Sequence, residues 1–81
     1  MTSTEIMAAV ERLHVETNTL DDEAKHLGVD VETRSARCDR LTAVWALRLM
    51  ADASAQGLQS WDMRVLADEL AEGLGEAGRN V

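Results

Sequence analysis

Proline, phenylalanine and tyrosine are absent from this 81-residue chain, and only one cysteine, Cys38, and two tryptophans, Trp45 and Trp61, occur. Each scarcity excludes something. A lone cysteine cannot close an intrachain disulfide. The two histidines, His14 and His26, would stand about 18 Å apart along one helix and be rotated by roughly 120°, so they cannot share a metal within the chain. No CxxC, HxxxH or carboxylate–histidine cluster offers a metal site instead. Gly73, Gly75 and Gly78 have no strand before them and no helix start after, which removes a phosphate-binding loop, and no cofactor is expected. No apolar run approaches the roughly 18 residues needed to cross a bilayer, and the first residues lack the cationic and apolar regions of a secretory signal. The expectation is a cytoplasmic protein with a reduced thiol and no membrane contact.

What the chain does contain is Ala, Leu, Glu and Arg in quantity, all strong helix formers. The segment Thr2-Ser3-Thr4-Glu5 reads as a capping box opening a helix. Ile6, Val10, Leu13, Thr17, Leu20, Ala24 and Leu27 then recur at 4-3-4-3-4-3 spacing, one narrow stripe held on a single face for three heptads. Gly28 suits the left-handed position beyond a helix end, and Lys25 and His26 complement the dipole in the last turn. A helix over about 3–27 follows. Asn18-Thr19-Leu20-Asp21-Asp22 also resembles an N-cap, but the unbroken stripe favours one continuous helix.

Asp30 is placed to cap a second helix, which Gly57 would stop, giving about 31–56. Two long helices joined by two or three residues fold back as an antiparallel hairpin. Val31, Cys38, Leu41 and Trp45 would continue the seam opposite Leu27, Leu20, Thr17 and Leu13. Charge agrees: residues 1–30 hold two basic and seven acidic groups, net −5, and residues 31–57 four basic and three acidic, net +1. Arg34, Arg37 and Arg40 would then lie near Glu16 and Asp21–Glu23. From Ala43 to Ala55 the second helix is apolar nearly all round, as expected of a helix packed on more than one side. Ser60 would cap a third helix over about 61–73 with Met63, Leu66, Ala67, Leu70, Ala71 and Leu74 on its apolar face, followed by a flexible tail 75–81. The whole is a single all-α domain, a long hairpin plus a short third helix.

A core this small is marginal. With disulfide and metal excluded, self-association is the remaining supplement, so the hairpin is expected to be completed as a dimeric helical bundle. Ile6, Val10, Leu13, Leu20, Leu27, Val31, Cys38, Leu41 and Trp45 are its candidate seam. Catalysis is not expected, because Cys38, the histidines and the scattered carboxylates form no constellation of nucleophile, base and orienting partner. The remaining role is binding another protein, to recruit or inhibit it. Trp61 and Arg64 on the third helix are candidate contacts, since tryptophan is over-represented among binding hot spots. The acidic run Asp21, Asp22 and Glu23 is a second candidate, for a basic partner.

The competing reading is a helix-turn-helix regulator or a DNA-mimicking antagonist of a nucleic-acid-binding protein. Ala53, Gly57, Met63 and Leu66 match the small, glycine and apolar positions of a helix-turn-helix. The third helix, however, would present Asp62, Arg64, Asp68, Glu69 and Glu72, and residues 58–81 sum to −3, with two basic and five acidic groups. Phosphates repel such a surface, so direct nucleic-acid binding is not expected.

Overall fold

A computed structural model describes residues 2–53 and 57–75. They form three helices, α1 (Ser3–His26), α2 (Val31–Ala53) and α3 (Gly57–Ala71). The fold is all-α.

The hairpin connection is built by local chemistry. At the start of α1 the Glu5 N–H donates to Thr2 Oγ1 at 3.2 Å, and the Thr2 hydroxyl donates to the Glu5 carboxylate at 3.3 Å. The helix continues through Asn18 and Thr19 because the polar side chains there turn back on it. The Thr17 hydroxyl donates to the Leu13 carbonyl and the Thr19 hydroxyl to the Val15 carbonyl, each at 2.9 Å. Gly28, at φ 78°, ends it. The Val29 N–H reaches the Ala24 carbonyl and the Gly28 N–H reaches that of Lys25, the paired bonds of a Schellman motif. Asp30 then caps α2, accepting from the Thr33 N–H at 3.1 Å and the Thr33 hydroxyl at 2.6 Å.

α2 is the central element. α1 lies antiparallel to it, with Asp21 bonded to Arg34, Thr17 to Cys38, and Arg12 over Trp45. α3 is antiparallel too: Arg64 pairs with Asp52, Arg48 with Asp68, and Arg40 with the carbonyls of Leu70 and Glu72. Among the described residues the backbones of α1 and α3 nowhere approach each other closely; each packs on α2. The core is therefore a wedge between α1 and α3. Leu41, Val44 and Trp45 are fully buried in it, closed by Ala9, Ala67 and Leu74.

Several sequence expectations need correction. α3 begins at Gly57, not at residue 61, so Gly57 opens a helix instead of stopping one. Ser60 is not its cap, because its hydroxyl donates across to the Ala51 carbonyl of α2 at 3.2 Å. α2 is described to Ala53; its expected end at residue 56 and the expected tail beyond Gly75 lie outside the described residues. The seam is also narrower than the stripe implied. Ala24 is buried and Leu13, Leu20 and Cys38 are half-buried on it, whereas Ile6, Val10, Leu27 and Val31 are exposed and Ala9, off the stripe, is buried. The reason is the bulk of Trp45, which shares the core cluster with Ala9: a small residue on the flank of the stripe lets the indole fill the space between the helices. At the other end Leu27 and Val31 flank the connecting turn, where α2 is only beginning.

Candidate protein-binding surfaces

The two tryptophans have opposite surroundings. Trp45 is fully buried with the Arg12 guanidinium 5.2 Å from its ring centroid, a cation–π contact within the usual reach. Trp61 is 62% exposed on the outer face of α3. Arg64 lies three residues on and binds Asp52 at 2.8 Å with both partners about half exposed, so its guanidinium is oriented yet open to solvent. Val65, one turn from Trp61, is also exposed.

The acidic candidates lie elsewhere. Asp21 is joined to Arg34 at 3.1 Å, and Asp22 and Glu23 are exposed without an ion pair among the described residues. Arg34 and Asp52 are separated by about 27 Å along α2, so Trp61 and Arg64 do not form one site with Asp21–Glu23. They are two surfaces at opposite ends of the molecule.

The arginines are distributed differently from the sequence expectation. Arg34 meets Asp21 as expected and also donates to the Val29 carbonyl at 2.8 Å, tying the hairpin turn. Arg40 does not meet the acids of α1. Its guanidinium donates to the Leu70 and Glu72 carbonyls at 3.0 and 2.9 Å, satisfying the end of α3, where the helix leaves carbonyls without partners. Arg48 crosses to Asp68 at 2.9 Å. Three arginines thus pair with acids between helices, and Arg40 serves the end of α3. Nothing in the spacing announced the partners of Arg40, Arg48 and Arg64, since each depends on where α3 lies.

The described residues offer little for chemistry. No group of three His, Cys, Asp or Glu among them could hold a metal ion, and no described helix is long and apolar enough to cross a membrane. Burial, then the charges of Asp21 and Asp39, pushes the Cys38 thiol above its usual pKa, so its nucleophilic form is disfavoured. A depression of about 390 Å³ beside Ala8, Glu11, Arg12, Val15 and Glu16 is open to solvent and lined from one helix.

The α2–α3 geometry also bears on the helix-turn-helix reading. The bonds 52–64, 48–68 and 40–72 run α3 back along α2 as a hairpin, whereas that motif sets its helices at roughly 90–120°. No protein-family model, curated protein or solved structure matches the chain.

Proposed function

We propose that this chain is a non-catalytic protein-binding module that recruits or inhibits a larger partner, with Trp61 as its anchor. The observation that carries this reading is the exposed indole: one of only two tryptophans stands in solvent on a helix face while the other fills the core. Leaving such a ring exposed wastes apolar area that a partner can bury. Arg64, three residues on, adds a directional donor, already oriented by Asp52. The acidic outer face of α3 supports a protein partner over nucleic acid, and the antiparallel α2–α3 pair supports it further. Self-association through the exposed hairpin tip, Leu27 and Val31, belongs to the same proposal and closes the end of the molecule that α3 does not reach.

The test is capture from a lysate of the source cells on immobilised wild-type chain and on Trp61→Ala. We expect a partner retained by the wild type and lost by the variant, with helical content unchanged by circular dichroism. Equal capture by both overturns the role of Trp61.

A further inference from the structure

Among the described residues, only two sides of the apolar half of α2 are covered. Val44 and Ala51 serve the α3 side and Trp45 the α1 side. The third side carries Ala36, Asp39, Ala43, Ala46, Met50 and Ala53 at 3-4-3-4-3 spacing, a second heptad stripe on the same helix. It faces neither neighbour, and Met50 is 51% exposed. The expected packing on more than one side is met by α1 and α3; this third side is exposed apart from the half-buried Ala43.

The stripe is continued by α3. Arg64 and Asp68 reach Asp52 and Arg48 on one flank of α3, which leaves the opposite flank, with Met63, Leu66 and Leu70, beside Leu47 and Met50. Leu66 is 46% exposed. By helical position Leu47, Met50, Met63 and Leu66 fall on the same flank of the α2–α3 junction, opposite the arginine-bridged side, and we read them as one apolar channel. Its methionines can adapt to different side chains.

The rim is acidic. Asp62 and Glu69 stand one turn on either side of Leu66, and Asp39 lies on the α2 stripe. All three are exposed and make no ion pair among the described residues. The nearby cations are turned away, Arg48 and Arg64 to the other flank and Arg40 to the end of α3. A second copy is a poor occupant, because in a two-fold interface this face would meet itself and oppose acid to acid.

The geometry points to a docking site for an amphipathic helix of another protein, with an apolar stripe in the channel and lysines or arginines over Asp39, Asp62 and Glu69. Such a helix-in-groove mode needs about four turns, or roughly 14 residues, to match the length of α3. The inference rests on the reading of the chain as a protein-binding module but not on Trp61, which lies on the outer face of α3.

The probe is a labelled, designed helix of leucine and lysine at heptad spacing, followed by fluorescence anisotropy, with a leucine–glutamate helix as its counterpart. We expect the lysine helix to bind in the micromolar range and the glutamate helix not to bind. Met50→Asp and Leu66→Asp, both at half-exposed positions, should each weaken binding by about tenfold or more, equivalent to roughly 1.4 kcal/mol, with the fold intact by circular dichroism. Asp62→Asn combined with Glu69→Gln should weaken it and flatten its salt dependence, while Trp61→Ala leaves it unchanged. No binding of the lysine helix overturns the inference, as does equal binding to Leu66→Asp, which would mark mere charge attraction. So does conversion of a wild-type dimer to monomer by Met50→Asp, which would assign the channel to a second copy. Equal lysate capture by wild type and Trp61→Ala, with the peptide response intact, would fail the anchor alone.

Discussion

Trp45 and Trp61 show how far one residue type can diverge in role within a single chain. Replacing Trp45 by alanine empties the centre of the wedge, so we expect about 3–5 kcal/mol of destabilisation. Trp61→Ala should fall within about 0.5 kcal/mol of wild type, as surface changes do. Thermal melts of the two variants decide this; a larger loss from Trp61→Ala would make it a core residue. Cys38 is the residue whose reactivity the fold restrains. Its thiol donates to the Thr17 carbonyl at 3.7 Å, and burial followed by the charges of Asp21 and Asp39 raises its pKa above 9.0, with Arg34 opposing weakly. A raised folded-state pKa contributes stability that is fully present below the unfolded value and lost as pH rises through the folded one. At pH 8 we expect the folded thiol to react with a disulfide reagent markedly more slowly than the same chain in urea. Equal rates would place Cys38 in the open.

At the level of elements, the turn between α1 and α2 is where the sequence spoke most clearly. Gly28 is in the left-handed region with open space around its missing Cβ, so Gly28→Ala should cost about 1–2 kcal/mol through backbone strain alone. An unchanged melt would remove the Schellman turn from the account. Asp30 carries the pH dependence of the same turn. The Thr33 hydroxyl, then the Thr33 N–H, hold its carboxyl below the usual 3.8. Its contribution is present above that value and lost as pH falls through the lowered one, so Asp30→Asn should keep the cap while flattening the acid end of the stability profile. Caps and turns were readable because their bonds span three or four residues. The start of α3 was not: Ser60 looks like a cap by residue type, but its hydroxyl bonds to Ala51 on another helix, a contact no local pattern encodes. The same limit hid Arg40 at the end of α3 and let Ala9 displace Val10 from the seam. Of the candidate contacts, Trp61 is exposed as expected but not for the expected reason, since α3 starts a turn before it, while packing of α2 on more than one side was legible in its apolar stretch.

The whole molecule is longer than its mass requires. Its radius of gyration is 13.3 Å and it measures 42 × 26 × 18 Å, against roughly 11.7 Å for a compact 81-residue chain. The excess is the hairpin tip. α2 is about 35 Å long and α3 about 22 Å, and among the described residues α3 bonds to α2 only between Arg40 and Asp52, which leaves residues 31–39 with α1 as the one described helix bonded to them. Leu27 is 82% and Val31 67% exposed there, and burying such side chains contributes about 1.5–3 kcal/mol each. Charge at this end suits a two-fold arrangement: Asp22 and Glu23 are exposed on α1, and Arg37 lies half-buried on α2 without a bonded partner among the described residues. Two copies packed tip against tip in opposite directions would bring the acids of one to the arginine of the other. We therefore expect light scattering to give about twice the chain mass at micromolar concentration, the commonest closed symmetry. Leu27→Asp is the variant to compare, because Leu20 also packs against the core and its loss would confuse folding with association. Leu27→Asp should lower the mass to that of one chain, and added salt should weaken the wild-type dimer. A wild type that stays monomeric from micromolar to millimolar concentration would leave the tip to a different partner.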